Sequence, residues 1–182
     1  VASLPHECEF LFVNDGSQDA SWDVIQSLSQ KDGRIIPIRF TRNYGQHNAI
    51  MCGFTKTTGD YVITLDDDLQ HPPEEIAKLA AKIQQGYDVV YGTHPTPQHG
   101  WFRNTTSMFL RLLLKLAIPD LDSRYSAFRI MRSEIAHEIE KFSSPFNFID
   151  GYISWVTQNV TATEVALDQR IHGKSGYTLK KL

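Results

Sequence analysis

Three consecutive aspartates, Asp66, Asp67 and Asp68, followed by Leu69 and Gln70, form the stretch of this sequence best equipped for chemistry. They follow an apolar run, Tyr61 to Leu65, that reads as a strand. On extended backbone alternate side chains point the same way, so Asp66 and Asp68 can face one spot while Asp67 faces another. Two carboxylates meeting at a strand end make a hard oxygen site suited to Mg²⁺ or Mn²⁺. An ion held there would bridge a diphosphate and neutralise the charge that builds on it as it leaves. A bare Asp-x-Asp is more often a solvated acidic turn. Here an apolar strand precedes it and a proline-started helix follows, which favours a site.

Such a site needs a scaffold that delivers several strand ends to one edge. Glu9 to Val13 is a predicted strand, and Asn14-Asp15-Gly16-Ser17 turns into a helix over about residues 20 to 30. Ile35 to Phe40 is a second strand and Gln46 to Lys56 a second helix. After the strand at Tyr61, Pro72-Pro73-Glu74-Glu75 starts a helix running to about Gln85, and Asp88 to Gly92 is a fourth strand. The alternation predicts an α/β fold, a Rossmann-like, mostly parallel sheet with helices on both faces. Ligands of such sheets bind beyond the carboxyl ends of the strands. The polar clusters after Val13, Phe40 and Leu65 fall at those ends. No repeat or linker divides the chain, so residues 1–182 read as one domain.

The 182 residues are 41% hydrophobic and 21% charged, which suits a folded domain with a real core. A formal charge of -3 gives no reason to expect a nucleic-acid partner, so an anionic ligand must be met by local cations or a metal. The two cysteines, Cys8 and Cys52, sit beside apolar residues and read as small core residues in a reducing compartment. In that compartment the triplets at Asn104 and Asn159 are not glycosylated. No leader or spanning helix is visible. Ser107 to Ile118 is apolar nearly all round except for Arg111 and Lys115, one turn apart. It reads either as a core helix or as an interfacial helix with its basic stripe toward lipid headgroups.

Four motifs occur in order: Val13-Asn14-Asp15-Gly16-Ser17, Arg42-Asn43-Tyr44-Gly45, Gly59-Asp60-Tyr61 and Asp66-Asp67-Asp68-Leu69-Gln70-His71-Pro72-Pro73-Glu74. Together they resemble the family 2 glycosyltransferases of the GT-A fold. The Asp-Leu-Gln-His-Pro-Pro-Glu run is similar to the polyprenyl-phosphate branch, which includes dolichyl-phosphate mannose synthases. The tail from Arg170 to Leu182 resembles the ending of undecaprenyl-phosphate aminoarabinose transferases. The resemblance implies inverting transfer of a sugar from a nucleotide sugar, with uridine the favoured base, to a polyprenyl phosphate. It places that reaction at the cytoplasmic face of the inner membrane, in cell-envelope glycosylation. Members of the branch carry an opening strand ahead of the position of Val1 and membrane helices beyond the tail. The domain is thus expected to be part of something longer. Homo-oligomerisation is left open.

The resemblance also implies roles. Asp15 contacts the nucleotide base, although by local chemistry it is equally a turn-former capping the next helix. Arg42 and Gly45 approach the nucleotide sugar, with an exposed surface arginine the plain alternative for Arg42. Asp66 and Asp68 hold the metal and diphosphate, and Gln70 helps to hold the metal. His71 reads as a supporting or turn residue. An acceptor phosphate is already anionic near neutral pH, so it needs no general base, only cations that bring two anions together. Arg103, Arg170 and Lys174 are the first candidates, with Ser175 completing an Arg-x-x-Gly-x-Ser motif; Arg124 and Arg129 come after them. One rival is a family 2 transferase to a saccharide hydroxyl, which needs a base, and Asp150 is the candidate, the alternative being that it orients an acceptor-side arginine. A second rival is a non-catalytic nucleotide-binding domain. A nucleotidyltransferase is weaker, since no glycine-rich phosphate loop is seen.

Overall fold

A computed structural model describes residues 7–94, 125–142 and 144–168. Its elements run β1 (Phe10–Asn14), α1 (Ser21–Lys31), β2 (Ile35–Arg39), α2 (Gln46–Phe54), β3 (Tyr61–Thr64) and a 3₁₀ turn (Pro73–Glu75). They continue as α3 (Ile76–Ile83), β4 (Val89–Thr93), β5 (Arg129–Arg132), α4 (Ser133–Glu140), α5 (Ile149–Val156) and β6 (Val160–Glu164). The four strands expected from the sequence lie within one residue of their predicted ends. The helix expected from Pro72 begins later, as a 3₁₀ turn. Pro72 itself is extended, with ψ 130°, because a residue before proline is pushed out of the helical region.

Strands β1 and β2 form a parallel pair, and the remaining four are ordered β3-β5-β4-β6. Within that sheet β4 and β6 are parallel, while β5 runs antiparallel to both β3 and β4. The reversed strand was not anticipated. It is four residues long, begins and ends in arginine, and lacks the apolar run that marks the other strands.

Register sorts the core into two faces. Val62, Met131 and Val89 are cross-strand neighbours in one row, and Ile63, Ile130 and Val90 in the next. Because successive residues alternate faces, the first row packs with Phe54 of α2, Ala136 and Ile139 of α4, and Ile149, Tyr152 and Ile153 of α5. The second packs with Ile76, Leu79 and Ile83 of α3, spaced to form one helical stripe. Helices therefore cover both faces of this sheet. A third row, Thr64, Arg129 and Tyr91, lies on the α5 face one step nearer the carboxyl end of β3.

Cys8 and Cys52 are half-buried and form no disulfide. Among the described residues no helix is long and apolar enough to cross a membrane. Ser107 to Ile118 lies outside the described residues.

Candidate active site

The acidic loop leaves the carboxyl end of β3 with a regular alternation: Leu65, Asp67 and Leu69 are exposed, whereas Asp66, Asp68 and Gln70 are half-buried. The pleat of the strand thus carries on past its last ladder bond and turns Asp66 and Asp68 to the same side. The loop then reverses at Leu69, whose φ of 61° is rare for a branched side chain. The reversal brings the Gln70 amide back to donate to Asp68 Oδ1 at 3.1 Å. From the other side the Asp168 amide donates to the Gln70 carbonyl at 2.9 Å, holding the loop against the chain that follows β6.

Burial first, and the charge of Asp68 second, push the Asp66 carboxyl above its ordinary range. A carboxylate raised by burial and by a neighbouring carboxylate is relieved by a cation shared between them. His71, the next residue after Gln70, packs against the Phe128 ring at a tilt, with centroids 4.9 Å apart. Its buried Nδ1 has no hydrogen-bond partner among the described residues, and burial lowers its pKa. No cluster of three or more His, Cys, Asp or Glu among the described residues can hold an ion alone. Asp66, Asp68 and Gln70 fit a divalent ion that takes its remaining ligands from phosphate oxygens and water.

A second set of loops leaves the carboxyl ends of β1 and β2, the separate parallel pair, whose ends are in register at Asn14 and Arg39. Asn14 is buried and its Oδ1 accepts the Ser17 amide at 3.0 Å, closing the turn. Asp15 does not cap α1. Its two oxygens accept the amides of Tyr44 at 2.6 Å and Gly45 at 2.8 Å, so it fastens the first loop to the second. Gly16, at φ +75°, lies so close to that loop that a Cβ would stand 2.6 Å from the backbone of Arg42 and Asn43. Only glycine fits there. Arg42 lies 4.5 Å over the Tyr44 ring, and Tyr44 packs edge-on against Phe40. Gly45 starts α2 at φ 94°.

The start of α2 joins the two loop systems. Gln46 Nε2 donates to Asp66 Oδ1. His47 Nδ1 accepts the Ile149 amide at 3.4 Å, and Asn48 Oδ1 accepts from Asn147 at 2.6 Å. Sequence reasoning missed Gln46. A side-chain amide directly after a glycine helix start was the available signal, but its partner lies twenty residues away.

Asp150 sits in the first turn of α5 and is only 6% exposed. Its carboxylate accepts from the Arg129 guanidinium and, at 3.2 Å, from the Tyr91 hydroxyl. Arg129 is 1% exposed and also donates to Thr64 Oγ1 at 3.1 Å. Asp150, read from the sequence as a candidate base or as a partner that orients an arginine, and Arg129, a lesser acceptor-side candidate, thus form a buried ion pair with each other. Arg103, Arg124, Arg170, Lys174 and Ser175 lie outside the described residues. A cavity of about 440 Å³, lined by Thr58–Tyr61 together with Arg132, Ser133, Glu134 and His137, opens at the opposite end of β3 and shares no residue with the acidic loop.

The model of "Glycosyl transferase family 2" matches residues 1–143. The chain is 34% identical over 180 residues to a bactoprenol glucosyl transferase of Shigella phage SfX, covering 98% of this chain and 59% of that protein. It is 36% identical over 181 residues to an undecaprenyl-phosphate 4-deoxy-4-formamido-L-arabinose transferase of Serratia proteamaculans, covering 98% of this chain and 56% of that protein. The chain thus spans a little over half the length of these relatives. Among solved structures, it resembles glucosyl-3-phosphoglycerate synthase of Mycobacterium tuberculosis in complex with Mn²⁺, UDP-glucose and phosphoglyceric acid. The TM-score is 0.65 at 16% identity, over 94% of this chain and 62% of that one, a likeness of fold.

Proposed function

We propose, since the chain belongs to glycosyl transferase family 2, that it transfers a sugar from a nucleotide sugar to a polyprenyl phosphate. The observation that carries the reading is the joining, through Gln46, of the paired Asp66 and Asp68 to the Asp15–Gly45 loops. One loop system suits a diphosphate and the other the nucleoside beyond it. The relatives whose names specify bactoprenol and undecaprenyl phosphate support the acceptor class.

Asp66, Asp68 and Gln70 would hold Mg²⁺ or Mn²⁺, which when bound neutralises charge on the departing nucleoside diphosphate. Asp15 keeps the two nucleotide-side loops together, and Arg42, stacked on Tyr44, supplies a cation beside them. UDP is the donor nucleotide we favour. The acceptor phosphate attacks the anomeric carbon directly with inversion, and needs no protein base because its oxygen is already anionic. The pairing of Asp150 with Arg129 accords with that economy. Arg103, Arg170, Lys174 and Ser175 are our candidates for gripping the acceptor phosphate at the cytoplasmic membrane surface.

The test uses the full-length protein in membranes with undecaprenyl phosphate, a panel of UDP-, GDP- and dTDP-sugars, and Mn²⁺ or EDTA. Metal-dependent glycosylated lipid from one donor is the expected product; transfer only to a saccharide hydroxyl would overturn the reading. In the same assay Arg170→Ala should raise the KM for the lipid about tenfold, the scale of one charge-assisted contact. The KM for the nucleotide sugar should stay nearly unchanged.

A further inference from the structure

The first residue of α2 makes a contact that the proposed reaction does not by itself require. Gln46 is exposed at the helix start, yet its side-chain amide is spent on one oxygen of a buried-side carboxylate, Asp66 Oδ1. No other hydrogen bond to the Asp66 carboxylate is seen among the described residues. The amide holds Asp66 through Oδ1.

What holds Gln46 is as informative as what it holds. The residue before it, Gly45, gives its amide to Asp15, so the helix start is pinned to the turn after β1. The two residues after it, His47 and Asn48, are pinned to the start of α5 through the Ile149 amide and the Asn147 side chain. Gln46 therefore projects from a backbone fixed on both sides. A continuous chain of contacts runs from Asp15 through Gly45 and Gln46 to Asp66.

We propose that Gln46 is a positioning residue that orients Asp66 for the metal and couples the nucleotide-side carboxylate, Asp15, to the acidic loop. The inference rests on the metal assignment under Proposed function. Partners of this kind, one contact removed from an ion, typically weaken binding about 10- to 100-fold when deleted. Coupling between two sites is also reciprocal: whatever Asp15 contributes to metal affinity through Gln46, the metal returns to the nucleoside side.

Mn²⁺ binding to the full-length protein, read by loss of the free-ion electron paramagnetic resonance signal with and without UDP, tests this without turnover. Gln46→Met, similar in length but without the donor, should weaken Mn²⁺ at least about tenfold while the thermal midpoint stays that of the unsubstituted protein. Asp15→Asn should also weaken Mn²⁺. The double variant Asp15→Asn/Gln46→Met should be no weaker than Gln46→Met alone, because the route is already cut. Equal Mn²⁺ affinity in Gln46→Met and the unsubstituted protein overturns the positioning role and leaves the metal assignment standing. Additive losses in the double variant overturn the coupling. No Mn²⁺ binding by the unsubstituted protein, with or without UDP, overturns the metal assignment and this inference together.

Discussion

The β1–β2–α1 region and the β3–β6 region are built on opposite terms. In β4 four consecutive residues are buried, and α3 buries Ile76, Leu79 and Ile83. In β1 the sole buried residue is a polar one, Asn14, and α1 buries none. Phe12, Val24 and Leu28 are left 38%, 54% and 40% exposed. Both hydrophobic clusters draw their buried members from β3–β6, their covering helices and Phe54 of α2. The first region is held instead by its parallel ladder, by Arg34 over Phe10 and Arg39 over Trp22, and by a few side chain-to-backbone bonds across to the second. Among those bonds is the Thr58 amide to Glu9. Half of the site therefore stands on a packed core, and the other half is tied to it by polar contacts.

The sharpest way to break this contrast is to unpair the buried charge in the packed half. Arg129→Met alone should destabilise the protein by about 3–5 kcal/mol, since it strands Asp150 in the core. Arg129→Met with Asp150→Leu should recover most of that loss, as urea denaturation of both variants would show. If the single variant were as stable as the parent, the ion pair would not be part of the core. Asp68→Asn should be nearly neutral in the same denaturation experiment yet lower metal-dependent transfer by about 10³-fold, a loss of several kcal/mol of transition-state stabilisation. Normal transfer by that variant would sink the assignment of the acidic loop.

Hydrogen exchange tests the contrast directly. Amides of Phe10–Val13 should open at lower free energy than those of Val89–Tyr91, because local stability follows buried apolar contact. Equal protection would mean that the two regions unfold as one unit. The smallest effect belongs to His47, at the joint between them. Burial lowers its pKa, so the folded state binds fewer protons than the unfolded one. Its contribution is fully present above the unfolded value of about 6.5 and is lost as pH falls through that value toward the lowered one. His47→Gln should therefore flatten the acid limb of a Tm-against-pH profile, with no change above pH 7.

The contrast also marks what could be read without coordinates. Strands β1 to β4 were legible because each is a short apolar run bounded by turn residues. The turning of Asp66 and Asp68 to one side was legible because pleating is local. Strand β5 was not, since Arg129 is buried only by virtue of Thr64, Tyr91 and Asp150, contributed by three other elements. An arginine in a strand looks like a surface residue until its partner is known. Asp15 was weighed as a helix cap because its actual partners, Tyr44 and Gly45, lie about thirty residues away. The left-handed turn at Leu69 carries no glycine or asparagine to announce it.

The fit of Gly16 against the backbone of Arg42 and Asn43 has a consequence for how such a chain can diversify. With a Cβ excluded on one loop and main chain on the other, neither loop can gain a residue or a side chain at that point without displacing its neighbour. Variation between related chains must then accumulate in segments outside this corner, which can change only if both loops change together.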